Sequence, residues 1–358
     1  MSLRPRARIH LSNIADNWRT LAAANQGGMT GAVIKADAYG HGLSQVAETL
    51  HDAGCDHFFV AHAFEGEAAR RALGPNAVIY VLNGPSPYEE AAYRKNALTP
   101  VINSDQQFQA LVTWIQTGGK LPKGYALKFD TGMNRLGIPA VDAPELAEAV
   151  KGMEPALILS HLACSEEADN AMNQFQATRF EAICNLFPNI PTSLANSGGT
   201  YLGAAYTQAL SRPGLALYGG GHPPVNLTLK PGLTLEAPIL QVRTIEAGES
   251  VGYGATYRAT EPHLLATVSL GYGDGFPRSA SNKGFATIDG HRCSILGRVS
   301  MDLITIDVTS VSKLARPGVF AQFIGPDAPL EEQAALAGTI GYELTTGLVP
   351  RVTRIYED

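Results

Sequence analysis

Hydrophobic and polar positions follow one recurring order between about residues 30 and 220. A short apolar run is followed by a polar loop and then by a stretch in which apolar residues recur at helical spacing. The apolar runs predict eight strands: AVIKA 32–36, HFFVA 57–61, AVIYVL 77–82, LTPVI 98–102, GYALKFD 124–130, ALILSH 156–161, TSLAN 192–196 and a run near SRPGLALYG 211–219. Eight alternating strand and helix units predict a (β/α)8 barrel of the TIM type rather than an open doubly wound sheet.

The stretches between these runs predict helices. The clearest is SDQQFQALVTWIQTGG, in which Ser104 and Gln107 predict a capping box and Gly118 predicts the end of the helix. Four other stretches have the same helical spacing: LSQVAETLHDAG, FEGEAARRAL, PELAEAVKGM and QFQATRFEAICNLF.

The pattern changes after GGGHPPVN, residues 219–226, which has the glycine and proline content of a linker. Beyond it the chain consists of β-branched runs separated by Gly, Asp and Pro turns, with one helix predicted at LEEQAALAGT. We therefore predict two domains: a barrel over residues 1–225 and a mainly β C-terminal domain over residues 226–358.

Composition and charge exclude several classes of protein. The chain has 358 residues, 45% of them hydrophobic, and a net charge of -6, which argues against binding to nucleic acid or to a membrane surface. No apolar window reaches the roughly 18 residues of a membrane span, and the start has no apolar signal-peptide region, so we expect a cytoplasmic protein. The four cysteines show no CxxC spacing, and no metal site is predicted, because His51, Cys55, His57 and His62 straddle a helix end and a strand.

Polar and basic residues gather where the predicted strands end, which is the face at which barrel enzymes carry out chemistry. They are Lys35, Lys128, Asp130, Arg135, His161, Asn196, Ser197 and Arg212. A lysine at the end of a buried strand can lose its proton and form a Schiff base with a carbonyl. The alternative is a lysine that reaches solvent or pairs with Asp37. Small residues and hydroxyl groups beside these positions, at Tyr39, 196–199 and Gly214, suit a phosphate.

Nine ordered motifs in the chain match one known family. They are AVIKADAYGHG, LKFDTGMNRLG, SHLACSEE, LANSGG, RPGLALYG, VGYGATYRA, LGYGDGFPR, LGRVSMDL and IGYELTTGLVPRV. Along nearly its whole length the chain resembles the bacterial alanine racemases, which are fold-type III enzymes that use pyridoxal 5'-phosphate (PLP). The resemblance implies racemisation of alanine by a homodimer.

The resemblance also implies roles for individual residues. Lys35 would carry PLP as a Schiff base, and Arg212 would face the pyridine nitrogen with His161 behind it. The implied phosphate ligands are Tyr39, Ser197, Gly214, Leu215 and Tyr342, with Asn196 nearby. The implied substrate contacts are Arg135 and the Met301 amide, with Asp302 and Tyr272 lining the site. Lys128 matches a lysine that is often carbamylated in the family.

Two bases on opposite faces of the substrate suit a racemisation, because a proton must leave one face and return to the other. By resemblance, these bases are Lys35 for the D-enantiomer and Tyr253, supplied by the partner subunit, for the L-enantiomer. The product would serve peptidoglycan synthesis or the reaction would serve alanine catabolism. Two alternatives stay open: a broader racemase for serine or basic amino acids, and a non-catalytic PLP-binding protein. The second β domain speaks against the latter.

Overall fold

The computed structural model describes residues 3–25 and 27–358, which divide into two compact units. The barrel unit contains residues 14–38 and 42–230. The β unit contains the residues up to 13, residues 39–41 and residues 231–358. The division of the chain into domains at residue 225 stays a prediction.

The barrel unit is built around parallel strands. Within the described residues, seven strands are hydrogen-bonded in the order Thr192–Ser193, Leu157–Leu159, Ala126–Asp130, Leu98–Ile102, Val78–Val81, His57–Val60 and Ala32–Val33. The short strand Ile138–Pro139 pairs with Ala126–Asp130. These strands are apolar and almost wholly buried, as expected where helices cover the outside of a parallel sheet.

The two ends of this sheet are joined by a further strand, Leu210–Ser211. It pairs in parallel with Met29–Thr30, and the amide of Gly31 donates to the carbonyl of Ser211 at 2.9 Å. On its other side, the amide of Arg212 donates to the carbonyl of Ala195 at 2.9 Å. The sheet therefore closes into an eight-stranded barrel, which confirms the predicted fold class.

The first and last predicted strands differ from the observed ones. The first comprises Met29–Thr30 and Ala32–Val33 and ends before Lys35. The last is only Leu210–Ser211, at the start of the run predicted near 211–219. LALY is a 3₁₀ helix, Leu215–Tyr218, so the extension of the strand through LALY was wrong. The reason is that Pro213 has no amide hydrogen to extend the ladder, and the apolar LALY run is buried as a helical turn.

Five helices lie where the sequence predicted them: Leu43–Asp52, Ala63–Leu73, Asp105–Gln116, Ala143–Ala149 and Ala171–Cys184. Three further helices were not named in the prediction: Leu11–Ala24, which precedes the first barrel strand, Glu90–Lys95 and Ala204–Thr207. At the helix with the clearest signals, the Ser104 hydroxyl accepts from the amide of Gln107, while the Gln107 side chain accepts from the amide of Asn103 at 2.8 Å. The predicted capping box is thus present, except that the Gln107 side chain accepts from the amide of Asn103 instead of the amide of Ser104. None of the helices in the described ranges is long and apolar enough to cross a membrane.

The β unit is formed by mostly antiparallel strands and two short helices. Its strands are Arg6–His10, Leu233–Ile245, Ser250–Val251, Tyr257–Arg258, His263–Val268, Phe285–Ile288, His291–Ser294, Ile304–Asp307, Phe320–Ile324 and Thr353–Glu357. The helix predicted at LEEQAALAGT is Leu330–Ala337, and Gly341–Thr346 was not predicted. Strand Arg6–His10 lies between Leu233–Ile245 and Thr353–Glu357, so the start of the chain completes the sheet.

Candidate functional site

Lys35 follows the first barrel strand and begins a turn with left-handed backbone. Residues 36–38 have φ of 52–53° and ψ of 48–52°, and Tyr39 has φ of 54°. Each non-glycine residue in this region costs roughly 1–2 kcal/mol, so surrounding contacts must hold the run in place.

Asp37 supplies two of these contacts. Its carbonyl accepts from the amide of Gly42 at 2.9 Å, and its carboxylate accepts from the amide of Leu43 at 2.8 Å, at the start of helix Leu43–Asp52. The Asp37 carboxylate thus binds a backbone amide within its own loop, which weakens the alternative in which it serves Lys35.

The amine of Lys35 is half-buried among charged groups. Burial lowers its pKa from the ordinary 10.5, and the positive charge of Arg135 lowers it further, while the Glu65 carboxylate opposes both effects. A lowered pKa increases the unprotonated fraction of the amine, which is the form that attacks carbonyl carbon.

Lys128 lies in strand Ala126–Asp130 and is only 7% exposed. Burial lowers its pKa to about 8, with smaller contributions from the positive charges of Arg212, Arg135 and Lys35. Four basic side chains therefore act on one another at the carboxyl ends of the barrel strands. Such an excess of positive charge suits an anionic ligand.

Arg212 is buried, and the ends of neighbouring strands supply hydrogen-bond acceptors to its guanidinium. Its guanidinium donates to the Ser193 hydroxyl, to the carbonyl of Ser160 at 2.6 Å and to that of Leu194 at 3.3 Å. Burial lowers the pKa of Arg212 to about 10, so it stays protonated at neutral pH. Arg212 also lies 3.4 Å from Nδ1 of His161, which must accept because arginine only donates. Burial and neighbouring cations hold the pKa of His161 well below 6.5, so this ring is neutral.

The Ser197 hydroxyl joins the loops after the seventh and eighth strands. Its oxygen accepts from the amides of Gly214 at 2.9 Å and Ala216 at 3.3 Å, on either side of Leu215. A hydroxyl that accepts two N–H bonds still carries its own hydrogen to donate. This loop pair therefore offers a donor to an anion.

The neighbouring Asn196 shapes the same loop. Its side-chain oxygen accepts from the amide of Gly199 at 3.0 Å. A Cβ at Gly198 would lie 2.6 Å from the carbonyl oxygen of Ser165, so a side chain there would force the backbone to move. Glycine at 198 keeps the loop closely packed.

Tyr39 and Tyr342 lie together in the β unit. Their ring centroids are 5.8 Å apart, and burial raises the pKa of Tyr39 above its ordinary 10. The chain after Tyr39 is tightly packed, because a Cβ at Gly40 would lie 2.1 Å from the carbonyl oxygen of Thr345. Two phosphate ligands implied by the resemblance are thus neighbours.

A second group in the β unit contains Tyr272, Met301 and Asp302. Arg351 donates to Asp302 at 2.7 Å and to the buried Asp274 at 2.5 Å, which joins the loop of Met301 to that of Tyr272. Tyr272 is 42% exposed and Met301 53% exposed. These two apolar side chains are on the surface of the single chain.

Tyr253 lies on the turn of a two-stranded hairpin in the β unit and is 72% exposed. The hairpin is tied down by a chain of polar contacts, in which the Tyr257 hydroxyl lies 2.9 Å from Nε2 of His263 and Nδ1 of His263 lies 2.9 Å from Asp307. The turn is thereby anchored while Tyr253 itself remains accessible.

Comparison with known proteins decides the family. Residues 9–222 match the model of the alanine racemase N-terminal domain, and residues 232–356 match that of the alanine racemase C-terminal domain. The chain belongs to the alanine racemase family. This confirms the resemblance read from the nine motifs.

Members of the alanine racemase family resemble the chain over nearly its whole length. An alanine racemase of Methylobacterium nodulans is 45% identical over 98% of this chain and 95% of its own. A catabolic alanine racemase of Agrobacterium fabrum is 42% identical over 97% of this chain and 91% of its own. The crystal structure of the Bartonella henselae alanine racemase with covalently bound pyridoxal phosphate superposes with a TM-score of 0.94 at 36% identity, covering 99% of this chain and 100% of its own. The biosynthetic enzyme of Pseudomonas aeruginosa gives 0.92 at 34% identity, with both chains fully covered.

The predicted site residues of this alanine racemase family member fall into two sets. The barrel unit holds Lys35, Lys128, Arg135, His161, Asn196, Ser197, Arg212, Gly214 and Leu215. The β unit holds Tyr39, Tyr253, Tyr272, Met301, Asp302 and Tyr342. Their individual roles stay predictions.

Sequence reasoning missed several polar residues that support the barrel set. Gln176 is fully buried, donates to the carbonyl of His161 at 2.9 Å and accepts from the amide of Ala163 at 2.8 Å. Ser193 binds Arg212, and Glu65 carries a buried carboxylate. Each occupies a position that helical or strand spacing predicts to be buried, but spacing does not show which neighbour a polar side chain meets.

Proposed function

We propose that this chain is a PLP-dependent alanine racemase. The observation that carries the proposal is the basic group around the Lys35 amine at the carboxyl ends of the barrel strands, in a chain of the alanine racemase family. The family gives the substrate class, and the site supplies a nucleophilic amine and an environment for anions.

The residues present fit PLP. A half-buried lysine with a lowered pKa suits its carbonyl carbon, and the Ser197 hydroxyl, which can still donate its hydrogen, suits its phosphate. Lys35 would hold the cofactor covalently, and Ser197, Gly214 and Leu215 would hold the phosphate. We also assign Tyr39 and Tyr342 to the phosphate, as the resemblance implies. When bound, PLP supplies the electron sink that makes the Cα proton of the amino acid removable.

Lys35 moves the proton on one face of the substrate. Burial and Arg135 lower the pKa of its amine, so the unprotonated form is more readily available as a base than that of a solvated lysine. Arg135 is exposed and cationic, so it also suits the substrate carboxylate, together with the Met301 amide.

Arg212 keeps its proton at neutral pH, because its pKa is about 10. It can therefore donate a hydrogen bond to a ring nitrogen without transferring a proton to it. Four acceptors, including the neutral His161, hold the guanidinium in place. We expect this arrangement to suppress transamination as a side reaction.

Tyr253 would be the base on the opposite face and would act in the active site of the partner subunit. Its exposure of 72%, together with the exposure of Tyr272, Met301 and Leu303 in the same unit, supports a homodimer. Exposed large apolar side chains of this kind are typical of a surface that a partner covers.

The proposal is tested by following exchange of the Cα proton of L- and D-alanine in deuterated water. The wild type should interconvert both enantiomers and absorb near 420 nm, roughly the value expected for PLP bound as a Schiff base. Lys35→Ala should lose both properties, and Tyr253→Phe should lose about 10²–10⁴-fold in kcat while retaining PLP. Tyr88→Phe, at a tyrosine that is 94% exposed, is the matched control. Full activity in Lys35→Ala would refute the proposal.

Mixing the two variants tests the shared active site. A mixed dimer of Lys35→Ala with Tyr253→Phe contains one intact site if each site combines both chains. Random exchange should then restore about a quarter of wild-type activity, since half of the dimers are mixed and one of their two sites is intact. No recovery, with subunit exchange shown by native mass spectrometry, would contradict the dimer proposal.

The same assay separates the remaining alternatives. A panel of L-amino acids distinguishes an alanine enzyme from a broader racemase for serine or basic amino acids. A protein that binds PLP but exchanges no alanine proton would be a non-catalytic PLP-binding protein. We propose a biosynthetic role in peptidoglycan precursor supply or a role in alanine catabolism, and a cytoplasmic location stays a prediction.

A further inference from the structure

Glu65 is a buried carboxylate with no role in the site as proposed so far. It lies in the first turn of helix Ala63–Leu73 and is 7% exposed. Its two oxygens accept three backbone N–H groups: Oε1 accepts from Ala36 at 2.6 Å, and Oε2 accepts from Ala61 at 2.8 Å and His62 at 3.0 Å.

These three amides come from the ends of two barrel strands. Ala61 and His62 follow strand His57–Val60, where the bonds to Oε2 are those expected of a helix cap. Ala36 follows the first strand and is the residue next to Lys35. The bond to Oε1 is therefore additional to capping and joins the Glu65 helix to the lysine loop.

Ala36 is also the first residue of the left-handed run. The left-handed conformation is unfavourable for an alanine by itself. A contact that fixes the amide of Ala36 therefore helps to stabilise this conformation. We propose that Glu65 is a positioning residue for Lys35, which fixes the left-handed turn through the Ala36 amide and so orients the lysine amine. The inference rests on the proposed function for the role of Lys35.

The negative charge of Glu65 also acts on Lys35. It is the carboxylate that raises the pKa of Lys35 against burial and Arg135. Glu65 thus acts on Lys35 both through the backbone and through its charge.

Two substitutions separate capping from positioning. In Glu65→Gln the single side-chain oxygen can still serve Ala61 and His62, but the amide nitrogen then faces the N–H of Ala36, where donor meets donor. Glu65→Asp keeps the charge but is one carbon shorter, so it cannot serve both strand ends. The control is Glu89→Gln, which changes a carboxylate that accepts from the amide of Ser86 at 2.8 Å in another loop.

Three measurements on PLP-saturated protein test the proposal. Hydrogen exchange by mass spectrometry compares peptides covering residues 33–40 and 58–66. Visible circular dichroism per bound PLP reports how rigidly the cofactor is oriented, with occupancy at Lys35 measured by borohydride reduction. Steady-state kinetics give kcat and KM for L-alanine.

In Glu65→Gln we expect faster exchange in 33–40 but not in 58–66, weaker visible dichroism at equal occupancy, and kcat lowered about 10- to 100-fold with KM nearly unchanged. Glu65→Asp should share the exchange result, and Glu89→Gln should match the wild type. Wild-type exchange and kcat in both Glu65 variants would overturn the proposal, as would equal loosening of both peptides. If the wild type does not racemise alanine, the proposed function fails, while the exchange and dichroism results still decide the role of Glu65.

Discussion

Removal of the Ser193 hydroxyl tests whether hydrogen bonds hold Arg212 in place. Ser193 is fully buried, accepts from the Arg212 guanidinium and donates to the carbonyl of Leu210. A hydrogen bond to a charged group contributes about 1.5–3 kcal/mol and a neutral one about 1 kcal/mol. Because water does not readily replace a fully buried group, Ser193→Ala should destabilise the barrel unit by about 2–4 kcal/mol.

Urea unfolding followed by tryptophan fluorescence measures this loss. Trp18 and Trp114 are the two tryptophans of the chain, and both lie in the barrel unit. With a slope of about 2 kcal/mol per molar urea, the midpoint should fall by about 1–2 M. The control is Thr192→Val, at the partly exposed residue next to Ser193. This substitution removes a hydroxyl that donates to Gln208 at 2.8 Å, and it should change stability by no more than about 0.5 kcal/mol.

The reasoning is refuted if the Ser193→Ala midpoint matches that of Thr192→Val. That result would mean that the carbonyls of Ser160 and Leu194 suffice to hold the Arg212 guanidinium. A lowered midpoint together with weaker visible dichroism of bound PLP would instead connect the hydroxyl to the site as well as to stability.

Two further predictions concern stability. The pKa of Lys128 is lowered to about 8 in the folded chain, so between pH 8 and about 10 the unfolded chain binds more protons, and stability should rise with pH by at most about 1.4 kcal/mol per unit. In cofactor-free protein and bicarbonate-free buffer, Lys128→Met should flatten the rise of the urea midpoint with pH, whereas the exposed Lys120→Met should not. Equal pH profiles of the midpoint in the two variants would contradict the prediction. Gly275 has φ of +98° and its Cβ would lie 2.0 Å from a carbonyl oxygen, whereas Gly290 has φ of +76° and open space around it. In calorimetry, Gly290→Ala should lower the free energy of unfolding by roughly 1 kcal/mol, and Gly275→Ala should lower it by about 1–3 kcal/mol more. Similar losses of stability in the two variants would show that the backbone at 275 moves aside easily.

The repeated apolar runs were sufficient to predict the barrel, because each strand ends beside a polar loop. The same regularity located Lys128, His161 and Arg212 at the strand ends. It failed at LALY, where an apolar run is equally compatible with a buried strand and a buried helical turn.

Long-range pairing explains most of what the sequence did not show. RARIH is a short strand whose partners lie more than two hundred residues away, so no local signal distinguishes it from a basic terminal segment. Glu65 has the position of an ordinary helix-capping residue, and its bond to Ala36 exists only because two strand ends are adjacent in space. The left-handed turn after Lys35 contains no glycine before residue 40, and glycine is the usual signal for such backbone.

The position of strand Arg6–His10 in the β sheet has a consequence for synthesis of the chain. Both of its neighbours, Leu233–Ile245 and Thr353–Glu357, are made after residue 230, where the barrel unit ends. At roughly 5–20 residues per second, the ribosome needs about 6–25 s to extend the chain from there to the last strand. During that interval the barrel sequence is complete, while the first strand to leave the ribosome waits for the last one to be translated.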